Sequence, residues 1–450
     1  MFNALSRLIM GAVYLKEKMD KHWATFDLFI REMPPVRNYF VFAGLEHIID
    51  YLLNFKFTSE HLSYFKKTCQ FEPRILNYYK NFKFTGELYA MPEGTIFFPN
   101  EPILRITAPI IEASIVECFL LNQVMLQVMI ASKISRIMTA CQDKTLAVTF
   151  TRAHGIDASM KGMRCAYIVG VDNLPMALAS MKYDFEPETG VTPHYFVTSF
   201  PDEISAFRSY TKHFPDRGLV MVDTYNTIQG VKNAIIVAKE LEKTGQKFRG
   251  IALDSGDLLK LSIKARKMLD KAGLNYVQII GMGNLDEYKI DKLVKQGAKI
   301  DMYAGVTEML TSCDYPKLEV VYKLSEICDD KGCWIPKMKL AKNKISLPGR
   351  KQVYRIKKKG CYQKDIIGLA DEKIPNSQKL LLPIIRNGKL VYRLPSLEKI
   401  RKFYFSEKQK FASNLFDIYK EFDYPVKISS KLQELVNKTR KQILKLCHTN

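Results

Sequence analysis

Four short apolar runs in the middle of the chain each end in an acidic residue or a glycine turn, and an amphipathic stretch follows each run. The runs read GLVMVDTY, GIALDSGDL, VQIIGMGN and KIDMYAGVT. This alternation predicts strand–loop–helix units that build a parallel sheet or barrel, where chemistry occurs at the carboxyl ends of the strands. Asp223, Asp254, Asn284 and Gly305 are therefore expected to face one common mouth.

Other hydrophobic patterns place helices and hairpins around this repeat. Residues 229–245 carry apolar positions on one helical face and end in Gly245, a predicted C-cap. Helices are also predicted over 40–54 and 110–133. Between those two, residues 83–107 alternate apolar and polar positions and contain Pro-Glu-Gly and Pro-Asn-Glu-Pro turns, which is typical of β-hairpins.

These patterns divide the chain into four predicted segments. An α+β part covers 1–133, and the strand–helix repeats with the loops of the candidate site cover 134–330. A basic, β-rich part follows over 331–410, and a lysine-rich helical tail over 411–450. The amphipathic pattern in the tail predicts that its helix packs on the body of the protein.

The composition is that of a globular protein with a large core. The 450 residues are 47% hydrophobic, and a chain of this size is expected to form about two or three domains. Polar residues interrupt the longest apolar candidate, 115–130, so no run reaches the roughly 18 residues that a membrane helix needs. Since the start also lacks the features of a secretory signal, we predict a cytoplasmic protein without a membrane partner.

The cysteines point to the same compartment. There are nine, an odd number, and they are scattered, which fits a reducing environment better than a disulfide framework. Cys313, Cys328, Cys333 and Cys361 lack the paired spacing of a zinc site. The sequence therefore predicts no metal-ligating residues here, and ordinary thiols are the favoured interpretation.

The net charge is +21, and much of the excess lies in 331–363 and from residue 401 onward. The simplest interpretation is a solvated basic surface. A sharper one is an electropositive region that attracts phosphorylated ligands or a nucleic acid. No nucleic-acid-binding motif supports the last interpretation, so a nucleic-acid partner is not favoured.

Two acidic turns are candidates for chemistry. Asp223 begins DTYNT after an apolar run, and Asp254 begins the turn Asp-Ser-Gly-Asp after another. Acids at strand ends can orient a ribose, and the backbone amides of Ser255 and Gly256 at a helix start favour a phosphate. Helix capping is the structural alternative for both turns, because Asp and Thr are good caps.

A histidine and two further glycine turns extend this set. His194 follows the turn Gly-Val-Thr-Pro, where an imidazole can act as a base, accept a phosphoryl group or simply hydrogen-bond the loop. GMGNLDE and YAGVTE add glycine turns before helices, which is how phosphate cradles are made. Five such strand ends in succession predict a phosphoribosyl site.

The residues also resemble a known family over about residues 8–400. The similarity to nicotinate phosphoribosyltransferases is carried by RAHGIDAS, SFPDEISAFRSY, VDTYNT, LDSGDL, LDEYKI, PGRKQVYR, ATFDLFIR, YFVFAGLE and NFKFTGELYAMPEGTIFFPNEPILR. The resemblance implies an α/β class protein with an irregular α/β barrel of the type II phosphoribosyltransferase kind. A flanking α+β domain would be built from N-terminal and C-terminal segments.

The resemblance further implies a reaction and partners. Nicotinate and phosphoribosyl pyrophosphate would give nicotinate mononucleotide and pyrophosphate, with ATP hydrolysis through a phosphohistidine, Mg²⁺ on the pyrophosphate, and a role in NAD salvage. A head-to-tail homodimer with shared active sites is also implied.

Carried over residue by residue, His194 matches the phosphorylated histidine, and Asp223 and Asp254 match the acids that contact the phosphoribosyl group. The candidate substrate-binding residues are Arg152, Thr192, Ser255, Gly256, Gly283, Asn284, Gly305 and Thr307.

The chain departs from the family pattern at several of these motifs. Ser6 and Val148 stand where the family has two aromatic residues that sandwich the base, and Thr151 and Ala252 stand where it has arginines. Three hypotheses therefore stay open: an active nicotinate phosphoribosyltransferase, a catalytically impaired relative that binds a nucleotide or a protein partner, and a nucleic-acid-binding role for the basic C-terminal third.

Overall fold

The computed structural model describes residues 2–35, 37–341 and 344–448. The chain forms two compact units, one made of Met1–Met129 with Lys317–Asn450 and the other of Ile130–Pro316. The helices are α1 Leu5–Lys16, α2 Leu45–Asn54, α3 Ser59–Thr68, α4 Pro73–Lys80, α5 Ile110–Ile115, α6 Glu117–Cys141, α7 Ile156–Ile168, α8 Ala177–Tyr183, α9 His194–Thr198, α10 Glu203–His213, α11 Thr227–Glu242, α12 Leu258–Lys271, α13 Glu287–Lys295, α14 Thr307–Leu310, α15 Leu397–Lys408 and α16 Ser430–His448.

The strands are β1 Trp23–Ile30, β2 Phe40–Val41, β3 Glu87–Ala90, β4 Ile96–Phe97, β5 Leu104–Pro109, β6 Thr145–Val148, β7 Leu219–Met221, β8 Gly250–Leu253, β9 Gln278–Gly281, β10 Met302–Gly305, β11 Val320–Cys328, β12 Trp334–Pro336, β13 Lys351–Lys358, β14 Cys361–Leu369, β15 Ser377–Lys379, β16 Leu382–Arg386, β17 Lys389–Leu390 and β18 Val426–Ile428. Short 3₁₀ helices cover Pro215–Arg217 and Ser413–Phe416.

The first unit is built on a seven-stranded sheet of order β12-β11-β1-β5-β3-β16-β17. Strand β1 pairs antiparallel with β11 on one side and β5 on the other, so the N-terminal and C-terminal segments share one sheet. Apolar residues at alternate positions of β1, such as Ala24 and Phe26, pack with α1, α4 and α5 in one core. Alternation of this kind is expected for a sheet with one apolar face.

A second sheet in this unit has the order β15-β13-β14-β18, and its strands β13 and β14 carry two residues of a fully buried ion cluster. Arg355 donates from Nε and Nη2 to Asp365 Oδ2 at 3.1 and 2.6 Å, and neither side chain is exposed. Glu407 Oε2 lies 3.8 Å from Arg355 Nη1, and Tyr424 donates to Asp365 Oδ1 at 3.2 Å. Because a buried charge needs partners, the cluster ties β13, β14 and α15 together.

The second unit is a five-stranded, all-parallel sheet of order β6-β10-β9-β8-β7, with helices between successive strands. Its strands are short continuous apolar runs, as expected where both faces of a parallel sheet are covered. The four runs singled out in the sequence form β7, β8, β9 and β10.

Irregular segments close this sheet into a barrel. Beside β6, Asn173 O accepts from Val148 N at 3.1 Å, and beside β7, Thr192 N donates to Leu219 O at 3.2 Å. The two closing segments join where Glu188 N donates to Leu174 O at 3.2 Å. The predicted irregular α/β barrel is thereby confirmed.

The barrel interior is apolar and closely packed. Its buried cluster contains Ala147, Leu219, Met221, Ala252, Ile280, Met302 and Ala304. A cavity of about 40 Å³ remains among these residues. An interior of this kind is a core and not a pore, so the chemistry is confined to the strand ends.

Some predicted elements differ from the structure. In 40–54, a strand at Phe40–Val41 precedes the helix, because Gly44 adopts φ 106° and the helix starts only at Leu45. In 83–107, β3 pairs with β5 while β4 pairs with β2, so the strands do not form successive hairpins. The segment 411–450 contains a 3₁₀ helix and the strand β18 before its α-helix, since β18 pairs with β14.

The helix predicted over 110–133 is two helices, α5 and α6, that meet at Val116. Helix α6 continues to Cys141 and is long and apolar enough to cross a membrane by length and composition. However, 67% of its most apolar window is buried inside the protein, and the core helix of a soluble protein passes the same test.

The buried cluster generates a pH prediction through Glu101. Burial, reinforced by the Asp365 carboxylate, raises the pKa of Glu101 well above its usual range, although Arg355 opposes this. The folded protein thus keeps a proton that an unfolded glutamate loses at about pH 4.3. The free energy of unfolding therefore falls as pH rises above that value. Glu101→Gln cannot ionise, and its free energy of unfolding should fall less between about pH 5 and pH 8 than that of the unaltered protein.

Urea unfolding at several pH values measures this difference. Glu60→Gln, at an exposed position of α3, is the matched control and should keep the original pH dependence. Equal pH dependence in both variants would contradict the prediction.

Candidate active site at the barrel mouth

The carboxyl ends of β6 to β10 define one edge of the barrel, which we call the barrel mouth. Strands β7 and β8 are neighbours in the sheet. Asp223 therefore comes to lie beside Asp254 although 31 positions separate them in the chain. This juxtaposition follows from the parallel topology, because every strand ends at the same edge.

Asp223 links the two neighbouring loops directly. Its Oδ2 accepts a hydrogen bond from the Asp254 backbone N–H at 3.1 Å and another from Ser255 Oγ at 2.6 Å. Its Oδ1 is buried and has no hydrogen-bond partner among the described residues. A buried carboxylate oxygen without a donor is costly, so this atom is suited to a cation or a ligand hydroxyl.

The position of Asp223 is fixed by close packing behind it. A Cβ at Gly230 in α11 would lie 2.0 Å from the carbonyl oxygen of Val222. Helix α11 can approach the end of β7 this closely only because residue 230 has no side chain. Asn226 caps the same helix by accepting from the backbone N–H of Gln229.

His194 faces the two acids from the start of α9. Its Nε2 lies 3.9 Å from Asp254 Oδ2, and its Nδ1 shares a hydrogen bond with Thr224 Oγ1 at 3.2 Å. The side chain is 46% exposed. The imidazole is thus oriented through one nitrogen, while its other nitrogen faces Asp254 and remains accessible.

The turn after β8 presents the start of α12 to the mouth. Gly256 adopts φ 81°, a left-handed conformation that glycine accepts without strain. Asp257 caps the helix by accepting from the Lys260 backbone N–H, and this hydrogen bond lowers the pKa of Asp257. Ser255 and Gly256 therefore lie beside the positive end of a helix, which favours anions.

The remaining predicted residues form the turns after β9, β10 and β6. Gly283 adopts φ 110°, and a Cβ there would lie 3.4 Å from Asp254 O. Asn284 O accepts from Lys289 Nζ at 2.6 Å, while Gly305 ends β10 and accepts from the Thr149 backbone N–H.

Arg152 and Thr307 meet at the same edge. Arg152 Nη1 lies 3.5 Å from Thr307 Oγ1, and the guanidinium is exposed. The β6 and β10 turns therefore place a cation at the mouth.

Thr192 has a structural contact. Its side chain is buried, and its hydroxyl accepts from the Met221 backbone N–H at 3.1 Å. The residue thus helps to close the barrel beside β7, and its substrate-binding role stays a prediction.

The sequence pointed to neither Glu203 nor Glu188. Glu203 begins α10, accepts from Asn233 through Oε2, and has a buried Oε1 without a partner among the described residues. Burial raises the pKa of Glu203, the Asn233 hydrogen bond opposes the rise, and the Asp223 carboxylate adds to it. The available signal was the segment SFPDEISAFRSY, which contains this acid.

Glu188 lines the small barrel cavity. Arg249 donates to both of its carboxylate oxygens at 2.7 Å. Burial alone would raise the pKa of Glu188, but the hydrogen bonds from Arg249 lower it. The carboxylate of Glu188 at the edge of the apolar interior is therefore balanced by the guanidinium of Arg249.

The positions that depart from the family pattern lie in different surroundings. Val148 is fully buried, and because Ala147 faces the barrel interior, Val148 points to the outside of the barrel. Ala252 lies inside the barrel, whereas Thr151 is exposed next to Arg152. Val148 therefore does not line the barrel interior.

Phe150, close to Val148, and the fourth departure, Ser6, also differ in their surroundings. Phe150 is half-buried in the turn that follows β6, whereas Ser6 is exposed on α1 of the first unit. The aromatic residue nearest the β6 end is thus Phe150, which inspection of the sequence did not single out.

The barrel mouth offers two neighbouring carboxylates, Asp223 and Asp254, as donors to a metal ion. Within the part of the chain that the structure describes, no group of three or more His, Cys, Asp or Glu side chains is arranged to hold a metal ion. Mg²⁺ commonly uses only one or two carboxylates together with substrate phosphates. Asp223, with its unpartnered Oδ1, and the adjacent Asp254 fit that mode.

Comparison with known proteins identifies the family. The N-terminal domain model of nicotinate phosphoribosyltransferase matches residues 1–125, and the C-terminal domain model matches 376–436. The chain is 36% identical over 438 residues to the nicotinate phosphoribosyltransferase pncB2 of Mycobacterium tuberculosis, covering 96% of this chain and 92% of the relative. The chain belongs to the nicotinate phosphoribosyltransferase family.

A second relative agrees with this assignment, and two solved structures share the fold. The nicotinate phosphoribosyltransferase of Bacillus subtilis is 38% identical over 458 residues, covering 94% of this chain and 92% of that protein. Human nicotinic acid phosphoribosyltransferase has the same fold, with a TM-score of 0.86, 23% identity and coverage of 97% and 100%. Nicotinate-nucleotide pyrophosphorylase from Pyrococcus furiosus matches with a TM-score of 0.71, 24% identity and coverage of 91% and 94%.

The comparisons favour an enzyme over a catalytically impaired relative. The chain nevertheless has Ser6, Thr151 and Ala252 at positions where the family pattern has an aromatic residue or an arginine.

The contact between Gly283 and Asp254 yields a paired prediction. Gly283→Ala and Gly297→Ala both force a left-handed backbone on a residue with a Cβ, and each should cost about 1–2 kcal/mol of stability. Only the Cβ at 283 meets Asp254, whereas nothing lies within 4 Å of a Cβ at 297. Because the backbone strain at 283 lies next to the Asp254 turn, Gly283→Ala should weaken phosphoribosyl pyrophosphate binding, whereas Gly297→Ala should leave it unchanged. Calorimetric titration measures the affinity, and equal affinity in both variants would count against a role for this turn.

Proposed function

We propose that this protein transfers the phosphoribosyl group of phosphoribosyl pyrophosphate to nicotinate, giving nicotinate mononucleotide and pyrophosphate. The observation that carries the proposal is the convergence of His194, Asp223 and Asp254 at the mouth of a parallel barrel. Family membership supplies the reaction class, and this convergence supplies residues that suit it.

The sugar phosphate is assigned to the turns of the barrel mouth. Ser255 and Gly256 offer backbone amides at the start of α12, and Gly283 and Gly305 let backbone approach a ligand closely. Arg152 supplies a positive charge at the same edge and is assigned to an anionic part of the substrates. Asn284 and Thr307 add polar groups between these positions.

The acids are assigned to the ribose. As the bond to pyrophosphate breaks, positive charge develops at C1′ of the sugar, and a fixed carboxylate nearby stabilises it. Asp223 is held by two hydrogen bonds and needs no reorganisation during the reaction. Bound Mg²⁺ would neutralise the leaving pyrophosphate, and Asp223 and Asp254 are the residues that would hold it.

His194 is assigned as the acceptor of a phosphoryl group from ATP. The bond to Thr224 orients the ring, and its other nitrogen is accessible beside Asp254. A nitrogen nucleophile needs both orientation and access. ATP hydrolysis through this residue would be coupled to synthesis of the mononucleotide.

We further propose that the protein is a homodimer whose two chains share their active sites. We assign it to the cytoplasm. Helix α1 exposes an apolar face at Leu5, Ile9, Met10 and Val13. Exposed apolar faces of this kind mark interaction surfaces. A second copy of the chain is the partner that we assign to it.

Incubation of the purified protein with nicotinate, phosphoribosyl pyrophosphate and Mg²⁺, with and without ATP, tests the proposal. Mass spectrometry should detect nicotinate mononucleotide, with more product when ATP is present. His194→Ala should remove the stimulation by ATP and keep the ATP-independent rate. Asp254→Asn should lower kcat/KM by about 10- to 100-fold under both conditions, because a charge-assisted contact is lost.

His213→Ala is the matched control, since this histidine is exposed at the end of α10, and it should behave like the unaltered protein. Formation of no more nicotinate mononucleotide than in a blank without protein would refute the proposed reaction, and equal rates in the unaltered protein and Asp254→Asn would refute the role of Asp254.

A further inference from the structure

A large cleft in the first unit has no part in the proposed reaction. Its volume is about 760 Å³, and its lining residues come from α16, the turn before β13 and eight strands, namely β3, β5, β11, β12, β13, β14, β15 and β16. Ligand pockets of small molecules commonly have about 300–1,000 Å³. The cleft is therefore large enough for a ligand the size of a nucleotide.

Arg105 on β5 lines the cleft, and only 3% of its surface is exposed. Its Nη1 donates to the Lys351 carbonyl oxygen, and its guanidinium stacks on the Tyr89 ring at 4.5 Å. Its Nε, however, is buried without a hydrogen-bond partner among the described residues. An orphaned donor on a buried cation is costly, and an anion in the cleft would satisfy it.

A second guanidinium and a tryptophan form the opposite part of the wall. The Arg350 guanidinium lies 4.6 Å from the Trp334 ring centroid. Arg350 Nε also donates to Glu326 Oε1 at 3.0 Å, which neutralises that acid. Trp334 is 39% exposed, so part of its surface is accessible for stacking with a planar ring.

Two exposed cations complete the rim. Arg386 Nη2 donates to the Tyr89 hydroxyl at 3.3 Å, and Lys379 Nζ donates to Ala370 O at 3.1 Å. Once Glu326 is paired with Arg350, the acids that remain in the lining are Glu87 and Asp371, against Arg105, Lys379 and Arg386. The cleft therefore keeps a net positive lining.

We propose that this cleft is a binding site for a nucleoside phosphate, with the phosphate on Arg105, Lys379 and Arg386 and the base on Trp334. Guanidinium groups bind phosphate through paired hydrogen bonds, and aromatic rings stack on any base. The site does not depend on the proposed reaction, because its walls come only from the first unit.

Tryptophan fluorescence provides the test, since the chain contains only two tryptophans. In the Trp23→Phe variant, Trp334 is the one remaining reporter. Titration with AMP should change its emission, whereas adenosine and inorganic phosphate, each carrying half of the recognised groups, should bind more weakly. Arg386→Ala and Lys379→Ala should each weaken AMP binding by about tenfold, as expected for a lost charge-assisted hydrogen bond.

Lys373→Ala, an exposed lysine outside the lining, and Asp254→Asn at the barrel mouth are the controls and should leave the AMP titration unchanged. Calorimetry with AMP on the chain that keeps both tryptophans gives a second readout that does not rely on Trp23→Phe. No emission change, or AMP binding that Arg386→Ala and Lys379→Ala leave intact, would overturn the proposal. Inorganic phosphate binding as tightly as AMP would overturn recognition of the nucleoside.

Discussion

The hydrogen bonds that Asp223 accepts from the neighbouring loop are the interaction on which the barrel mouth depends. One carboxylate oxygen holds both the backbone N–H of Asp254 and the hydroxyl of Ser255. The carboxylate thereby sets the distance between the ends of β7 and β8, and with it the position of Asp254 relative to His194. Hydrogen bonds to a charged acceptor are worth about 1.5–3 kcal/mol each, so the two together can define a single loop conformation.

The rest of the molecule supports this arrangement by excluding alternatives. The apolar interior leaves only a small cavity, so ligands are confined to the strand ends. Gly230 lets α11 press on the end of β7, which keeps Asp223 at the mouth. In the first unit, the pair of Arg355 and Asp365 has a comparable role, because removing either partner would leave a buried charge uncompensated.

The sequence predicted that most of the candidate residues lie at one edge of the barrel, because the signals for the strand ends are local. Apolar runs that end in Asp223, Asp254 or a glycine turn identified the strands and the common edge at which they end. The pairing of β3 with β5 and the place of β18 beside β14 were missed, because partners distant in sequence are set by tertiary packing and not by alternation. The outward direction of Val148 had no local signal for a related reason, since it depends on which strand residues line the barrel.

Neither the burial of Glu203 near Asp223 nor the positively lined cleft follows from the pattern of apolar and polar positions, although the segment SFPDEISAFRSY contains Glu203. Glu203 approaches Asp223 only when α10 packs on the barrel, and its raised pKa arises from that burial. Arg105 looks in the sequence like any polar residue at an alternating strand position. Its orphaned Nε becomes evident only once β13 and the turn before it cover the sheet.

Backbone amide hydrogen exchange around residue 254, compared between the unaltered protein and Asp223→Ala, tests the central claim most directly. Peptides covering 253–258 should exchange about tenfold faster in the variant, because the acceptor for the Asp254 amide is lost. Asp286→Ala, which removes the N-cap of α13, should leave this segment unchanged and serves as the control. Unaltered protection of 253–258 in the Asp223→Ala variant would contradict the account.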